Sequence, residues 1–328
     1  MRSSWRQLLY PLNLLMVALV FYACALLPTA LIASWLGSQP SPTSVAVTSR
    51  PPITTWPLEI TDDLERTVNI EQIPQRIVSL APSITEILFA LDLGDRIVGV
   101  TDHCDYPEQA LTKPKVGGYF MTNLEAIMSQ KPDIVFTDGH DPVCEQLEGL
   151  GVTMVVLQPK DIAGIFQDIE LVGQITGKEE EAEKLINKMQ SRISTVAAKT
   201  AGVGRPTVFY VVDVSDPSKP WTAGSGSFVD ALIGLAGGQN IAATAGQWSQ
   251  FSLEVLVSVD PEIIIVDASH GEAFVPDFGS LPGWNEMSAV KEGKIYLIDG
   301  DLTSRPGPRI VEGLEEMARI IHPELFGE

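Results

Sequence analysis

The sequence predicts an α/β protein built from two Rossmann-like lobes with parallel sheets, joined by one long backbone helix. Three observations support this fold class. Short apolar runs alternate with segments of helical spacing from residue 76 onward, two stretches of the first half recur in the second, and a long proline-free helical pattern lies between the halves. Apolar strands that alternate with helices favour parallel sheets covered on both faces.

The N-terminal lobe is predicted over residues 70–160. Apolar runs bounded by turn residues indicate strands at 76–80, 97–100, 133–137 and 153–157. Helical spacing indicates helices at 84–91, 123–130 and 146–151. A helix therefore separates each strand from the next, as the crossovers of a parallel sheet require.

The connecting helix is predicted over residues 161–201, the longest helical pattern in the chain. It contains no proline, and a stripe of four apolar residues between 185 and 193 marks its inner side. Gly173 and Gly177 mark the place where a bend is expected. The central position of this helix makes it a rigid connector between two halves.

The C-terminal lobe is predicted over residues 202–328, with strands at 207–212, 262–267 and 294–298 and helices at 228–235, 252–258 and 309–321. Residues 252–265 match residues 123–136 without a gap, and residues 228–238 match residues 84–94. Two such matches in the same order indicate two lobes of similar build. The cleft between the lobes is then the expected ligand site.

Glu125 and Glu254 occupy equivalent positions in this repeat. Each is the second helical residue if Asn123 and Ser252 are the N-caps. Stabilisation of the helix dipole, worth about 0.3–1 kcal/mol, would account for one such acid. Because the acid recurs in both lobes, we interpret the pair as exposed charges that dock onto a two-fold symmetric partner carrying arginines.

Three aromatic residues are candidates for the walls of the cleft. Tyr119 and Trp248 each lie four residues before a predicted N-cap, and Trp221 precedes a glycine-rich turn at 223–227. Aromatic rings in glycine-flanked loops are typical of walls that hold a flat ligand. The alternative is that each ring packs into its own lobe.

Catalytic motifs are absent from the sequence, which has no HExxH, GxSxG or phosphate-binding loop. We therefore expect no enzyme activity, no catalytic residue, no metal and no cofactor. His103, Asp138, His140 and His270 nevertheless all follow predicted strands. A metal site, or a chelatase-like enzyme on a related fold, is thus the alternative of another class.

Cys104 and Cys144 are the two cysteines outside the N-terminal segment, and both follow predicted strands. Strands of one sheet would bring them to the same edge, in a compartment that tolerates disulfides. A disulfide between them and a pair of unpaired thiols are both compatible with the sequence.

The N-terminal segment, residues 1–37, is apolar behind an arginine-containing start, which indicates a secretory signal or an uncleaved membrane anchor. Its length favours the anchor, while Cys24 offers a site for lipidation. In each case the rest of the chain is exported, because the positive charge precedes the apolar stretch. Residues 38–69 are expected to be a flexible linker.

The charge of the chain is strongly negative and unevenly distributed. All 42 acidic residues lie beyond residue 50, and the formal net charge is −20. Such a field excludes nucleic acid and anionic lipid surfaces as partners.

Four segments, at 76–107, 115–136, 221–241 and 304–326, resemble the vitamin B12 and ferric-siderophore periplasmic binding family of ABC importers. The first reads RIVSLAPSITEILFALDLGDRIVGVTDHCDYP and the last SRPGPRIVEGLEEMARIIHPELF. The resemblance spans roughly residues 70–326 and is strongest to the cobalamin-binding branch. It implies two lobes joined by a helical backbone (class III), a monomer located in the periplasm or at the cell surface, and an ABC permease with its ATPase as partners.

The resemblance also implies roles for single residues. Glu125 and Glu254 match the family's permease-docking glutamates, and Tyr119 and Trp248 match aromatic positions of the cobalamin cleft. Arg305, with Asp301 just before it, matches a cleft-side arginine, and Trp221 joins this ligand-binding set. His103 stands where a relative carries a ligand-facing tyrosine, which leaves the ligand open. A corrinoid is the first expectation, and a ferric siderophore or haem is the second.

Overall fold

An antiparallel hairpin opens the described part of the chain, which in this computed structural model comprises residues 55–269 and 275–327. The hairpin pairs β1 (Leu58–Thr61) with β2 (Thr67–Ile70). Ile60 and Ile70 are buried in the core. The flexible linker predicted over 38–69 is therefore wrong from residue 58 onward, because two strands of four residues give too short an alternation to be recognised.

A four-stranded parallel sheet forms the centre of the N-terminal lobe. It consists of β3 (Ile77–Ser79), β4 (Ile97–Val100), β5 (Ile134–Thr137) and β6 (Met154–Val156) in the order β4-β3-β5-β6. Every residue of β3, β5 and β6 is buried. Cover on both faces explains why these strands are continuous apolar runs in the sequence.

Three helices accompany this sheet, namely α1 (Pro82–Ala90), α2 (Leu124–Ser129) and α3 (Val143–Gly149). Pro82 is the first residue of α1. An amide hydrogen at this position would have no partner within the helix, so proline, which lacks one, loses no helical hydrogen bond. The predicted N-cap of α2 is confirmed, since the Asn123 side chain accepts a hydrogen bond from the Ala126 amide at 2.9 Å.

The connecting segment is two helices, α4 (Ile162–Thr176) and α5 (Glu179–Thr200). The single helix predicted over 161–201 is therefore wrong at Gly177, which has a φ of 69° and ends α4. The turn is tight, since a Cβ added at Gly173 would lie 2.7 Å from the Cβ of Ala182. The 22-residue α5 alone leads into the second lobe.

The C-terminal lobe repeats the architecture of the first. Its parallel sheet has the order β12-β11-β7-β9, and a separate antiparallel pair joins β8 to β10. The strands are β7 (Thr207–Val211), β8 (Trp221–Ala223), β9 (Gln239–Asn240), β10 (Trp248–Gln250), β11 (Ile263–Asp267) and β12 (Ile295–Ile298). The helices are α6 (Phe228–Leu235), α7 (Leu253–Val259), α8 (Ser288–Lys291), α9 (Asp301–Ser304), α10 (Ile310–Ile321) and α11 (Pro323–Phe326).

One apolar cluster runs through both lobes. It contains Leu88 of α1, Met189 of α5 and Leu314 of α10, while each lobe has a smaller cluster of its own. Separating the lobes would expose this shared surface at a cost of about 25 cal/mol per Å². The shared core therefore opposes large movements of one lobe against the other.

None of the helices within residues 55–269 and 275–327 combines the length and the apolarity needed to cross a membrane. The predicted signal or anchor at 1–37 lies outside these residues.

Candidate functional site

The two lobes are joined by side chains of segments that follow the carboxyl ends of their sheets. β4 and β12 are outer strands of their sheets. Asp105 follows β4 and accepts a hydrogen bond at 2.7 Å from Arg305, which follows β12. Side chains beyond the carboxyl ends of both sheets therefore open onto one space between the lobes, where open α/β sheets bind their ligands.

Tyr119 forms the N-terminal wall of this cleft. Its half-buried ring meets Phe120 edge to face, with ring centres 4.6 Å apart. Its hydroxyl donates a hydrogen bond to Asp138, the residue after β5. Burial, together with the Asp138 carboxylate, raises the pKa of Tyr119 well above its ordinary value. The phenol therefore stays protonated, and its ring is held in place by the bond to Asp138.

Trp221 and Trp248 form the C-terminal wall. They lie in β8 and β10, where Trp248 is opposite Ala223 and Gln250 is opposite Trp221. This register puts both indoles on one face of the strand pair. Their exposed fractions are 41% and 46%, so the alternative of rings packed inside their own lobe does not apply to them.

The two walls have equivalent places in the two lobes. β5 and β7 are each third in their sheets, counted from the outer strands β4 and β12. Tyr119 is bonded to Asp138 at the end of β5, and the Trp221 amide donates to the Asp213 carbonyl just after β7. Each lobe therefore carries aromatic residues bonded to a segment that follows the third strand of its sheet.

Phe120 and Met121 extend the N-terminal wall and were missed by the sequence reasoning. They are 65% and 82% exposed, among the most exposed large apolar side chains of the described residues. The signal was available in the sequence, since two large apolar residues stand between Tyr119 and the N-cap Asn123 in a segment without helical or strand spacing. Such exposure in a loop indicates a contact surface.

Five charged side chains connect the lobes at the floor of the cleft. Glu86 of α1 is buried and accepts hydrogen bonds from Arg309 at 2.6 and 2.9 Å and from Arg305 at 3.3 Å. Arg305 also pairs with Asp105 at 2.7 Å and with Asp301 at 2.5 Å. Arg305 and Asp301, both predicted to bind ligand, are thus bonded to each other, and Arg305 reaches the opposite lobe.

The interlobe network contains one more carboxylate than guanidinium groups. Burial raises the pKa of Glu86, against the influence of Arg309 and Arg305. Burial also tends to raise the pKa of Asp105. The hydrogen bond from Arg305 outweighs burial there, so the pKa of Asp105 is lowered. Three carboxylates face two guanidinium groups, so no cationic charge is left over. The floor repels anionic ligands and offers donors and acceptors to neutral polar ones.

His103 lies exposed on the segment that follows β4. Its neighbours fix the backbone, since the Asp102 amide donates to the Gly117 carbonyl at 2.8 Å and Asp105 holds Arg305. Within residues 55–269 and 275–327 the His103 side chain has no hydrogen bond or ion pair. It is therefore available to a ligand.

Glu125 and Glu254 lie exposed in the first turns of α2 and α7, as predicted. Neither carboxylate has a hydrogen bond or an ion pair to any described residue. Asn123 caps α2 through its own side chain, whereas the Ser252 side chain makes no cap hydrogen bond. Both carboxylates are therefore exposed and unpaired among the described residues.

Cys104 and Cys144 are free thiols, so the disulfide alternative is wrong and the alternative of two unpaired thiols holds. Cys104 is buried beside Thr85 and Thr101, at 3.1 Å from each hydroxyl. It follows β4, while Cys144 lies in α3, after β5, two strands away. A separation of roughly 10 Å exceeds the span of about 7 Å between Cα atoms that a disulfide permits.

Of the residues suggested for the alternative metal site, only two are shown to lie close to each other. His140 Nδ1 lies 3.4 Å from Asp138 Oδ1, and His103 follows another strand. His270 lies outside the described residues. Among the residues that the structure describes, no group of three or more His, Cys, Asp or Glu is placed to hold a metal ion.

A cavity of about 580 Å³ lies between the connecting helix and both lobes. Its walls include Phe89, Leu185 and Met189, and it also touches Glu86 and Arg309 of the interlobe network. None of the six residues predicted to bind ligand lines it. The cavity is therefore not the aromatic-walled cleft.

Known proteins resemble this chain over most of its length. The sequence family described as periplasmic binding protein matches residues 77–302. An ABC transporter substrate-binding lipoprotein of Bacillus subtilis is 32% identical, covering 83% of this chain and 88% of that protein. A vitamin B12-binding protein of Vibrio cholerae is 29% identical, covering 74% and 87%. The solved structure of a periplasmic heme-binding protein from Roseiflexus is 27% identical with a TM-score of 0.67, covering 76% and 98%.

Proposed function

We propose a ligand and a mode of docking for this chain, which belongs to the periplasmic binding protein family. As a member of that family it is the extracytoplasmic substrate-binding protein of an ABC importer, and its relatives are binding proteins. We propose that it captures cobalamin between its lobes and delivers it to the permease. We also propose that it acts as a monomer and needs no resident cofactor.

The paired aromatic walls carry the proposal for the ligand. Tyr119 on one lobe and Trp221 with Trp248 on the other suit the two sides of a large flat ring system. The corrin ring of cobalamin is such a system, and its rim carries carboxamides. Carboxamides both donate and accept hydrogen bonds, and the carboxylates and guanidinium groups of the floor can satisfy both.

Haem and ferric siderophores form the second candidate class, supported by the likeness to a heme-binding protein. Haem carries two propionates, and many siderophores are anionic. Arg305 and Arg309, the cations at the floor, are already paired with Glu86, Asp105 and Asp301. An anionic guest would have to break these pairs, which favours the neutral carboxamide rim of cobalamin.

Titration with cyanocobalamin, followed by tryptophan fluorescence, tests the ligand. Saturable quenching is expected, because Trp221 and Trp248 are exposed and are proposed to line the cleft. Trp248→Ala should weaken binding at least tenfold, a loss of about 1.4 kcal/mol, which is within the range of a stacked aromatic contact. Leu111→Ala, which removes another exposed apolar side chain outside the walls, is the matched control and should leave the affinity unchanged. Quenching by hemin or a ferric siderophore without quenching by cyanocobalamin would refute the corrinoid.

Glu125 and Glu254 are proposed to engage arginines of the permease. Both are exposed and unpaired among the described residues, which supports the proposal. Glu125→Ala and Glu254→Ala should leave ligand affinity intact and abolish uptake by cells that carry the transporter. Glu312→Ala, an exposed acid in the first turn of α10, is the control and should transport normally. Loss of ligand binding in either docking variant would contradict the role.

Residues 1–37 are proposed to tether the protein to the outer side of the cytoplasmic membrane, as a retained anchor or through a lipid. The Bacillus subtilis relative is itself described as a lipoprotein. Fractionation of cells that express the full chain should place it with the membrane, and a variant lacking these residues behind a foreign cleavable signal should be released. Membrane association of the truncated form would contradict the tether.

The enzyme alternative rests on His103, His140 and His270. Purified protein should contain no stoichiometric metal if the chain only binds and delivers. Stoichiometric zinc or iron that is lost in His103→Ala would support the metal-site alternative instead.

A further inference from the structure

His103 is the histidine without a partner among those that the structure describes. The His140 ring lies 3.4 Å from the Asp138 carboxylate. His322 is buried, within 3.3 Å of the Gly237 carbonyl and 3.2 Å of Glu324. His103, by contrast, is exposed and makes no hydrogen bond or ion pair within residues 55–269 and 275–327. An unpaired imidazole is an effective nitrogen ligand for a transition metal.

The position of His103 is fixed between two parts of the cleft. On one side, the amide of Asp102 is bonded to the carbonyl of Gly117, two residues before Tyr119. On the other side, Asp105 binds Arg305 at the floor. Buried Cys104 anchors the segment between them. The imidazole is thus carried on a stretch of backbone that is held at both ends, between the tyrosine wall and the floor.

We propose that His103 supplies an axial nitrogen to the metal of the bound macrocycle, an inference that rests on the proposed function. In aquocobalamin the exchangeable axial position of cobalt(III) is occupied by water. The unprotonated imidazole nitrogen forms a bond to cobalt, the bond from cobalt to water breaks, and the water leaves. Cobalt stays trivalent and no electron is transferred. In cyanocobalamin the cyanide holds the same position, so the aromatic walls and floor alone bind that form.

This ligation gives the cleft a preference between forms of one macrocycle. Aquocobalamin and cyanocobalamin present the same ring and rim to the walls and floor. They differ in the axial group and in charge, since aquocobalamin carries one positive charge more. The wild-type protein should therefore bind aquocobalamin at least tenfold more tightly than cyanocobalamin. Iron(III) in hemin presents the same exchangeable position, so hemin serves as the probe for the haem alternative.

Absorption spectroscopy of aquocobalamin mixed with the full-length protein tests the proposal. The corrin band should shift as it does when free imidazole is added to aquocobalamin, and cyanocobalamin should show no such shift. His103→Ala and His103→Gln should abolish the shift and reduce the preference for aquocobalamin at least fivefold, leaving only the part that comes from its extra positive charge. His140→Ala, which removes another exposed imidazole of the same lobe, should keep both the shift and the preference.

The outcomes separate this proposal from the proposed function. Binding of both cobalamins without a shift, or a shift that survives in His103→Ala, overturns the axial ligand while cobalamin capture stands. A hemin band shift lost in His103→Ala, with no binding of either cobalamin, overturns cobalamin as the ligand and supports ligation of iron by His103. Binding of neither the cobalamins nor hemin overturns both. Unfolding curves of the two variants that match the wild type confirm that any loss is local.

Discussion

Glu86 and the proposed docking pair, Glu125 and Glu254, are the same residue type in opposite situations. Glu86 is buried between the lobes and bonded to two arginines. The proposed docking glutamates are exposed and lack any partner among the described residues. The comparison shows two uses of one charge. A carboxylate whose charge is satisfied within the chain holds the lobes together, and a carboxylate left unsatisfied is available to another molecule.

The largest expected effect on the free energy of unfolding is that of Glu86→Ala. Removing this carboxylate leaves Arg309 without its ion pair in a poorly hydrated site, which typically costs about 3–5 kcal/mol. Glu86→Gln keeps an accepting oxygen and should cost less. Urea unfolding measures both, with Glu183→Ala on the exposed side of α5 as the control. A loss below about 1 kcal/mol for Glu86→Ala would show that the network does not hold the lobes.

Asp168 is a third kind of carboxylate. Like Glu86 it is buried, but its neighbour is another acid instead of an arginine. It is 2% exposed, and burial together with the neighbouring Asp63 raises its pKa from 3.8 to about 8. A raised pKa in the folded state means that the contribution of Asp168 to stability is complete below pH 3.8 and is lost as the pH rises to 8. The free energy of unfolding of the wild type should therefore fall across this pH range. Glu86 keeps its arginine partners, so its contribution to stability should depend less on pH.

Asp168→Asn should flatten this dependence and stabilise the protein at pH 8.5 by about 2–4 kcal/mol, since each pKa unit corresponds to about 1.4 kcal/mol. Melting temperatures of the wild type and the variant at pH 5 and pH 8.5 check it. Equal slopes in the two proteins would mean that Asp168 is not the group responsible.

The N-caps of the docking helices give a smaller difference between the lobes. Asn123 accepts a hydrogen bond from the Ala126 amide, while Ser252 makes no side-chain cap bond. Asn123→Ala should cost about 1 kcal/mol and Ser252→Ala only a few tenths. Chemical unfolding of the two variants in parallel measures the difference. Equal losses would contradict the asymmetry of the caps.

The smallest effect on stability is expected for the docking glutamates themselves. Each contributes only through the helix dipole, so Glu125→Ala and Glu254→Ala should each cost about 0.5 kcal/mol or less. Thermal unfolding checks this beside the uptake assay. A much larger loss would place these carboxylates with Glu86 among the structural ones.

Local patterns in the sequence predicted most of the fold. The strands at Ile97–Val100 and Ile263–Asp267 are continuous apolar runs, because parallel sheets are covered on both faces. The N-cap positions Asn123 and Ser252 could be predicted, because capping depends on a few neighbouring residues. The break at Gly177 was only indicated as a bend, since the turn depends on how α4 and α5 pack against each other.

Long-range pairings could not be predicted in the same way. Arg305 and Glu86 are separated by more than 200 residues, and nothing in either local sequence specifies the other. The strand pair under Trp221 and Trp248 has only three residues on each side, too few for a recognisable alternation. Tyr119 was a candidate from its position, but its bond to Asp138 is visible only in the folded chain.

The apolar cluster shared by both lobes has a consequence for how this protein matures. Ile320 and Ile321, near the end of the chain, belong to the same cluster as Ile77 in the first parallel strand. Translocation across the membrane is vectorial, so the first lobe emerges long before the last helix. Its interior stays incomplete until almost the whole polypeptide has crossed. We therefore expect folding to be completed only after the last helices have crossed, and a chain truncated before α10 to be less stable than the full chain.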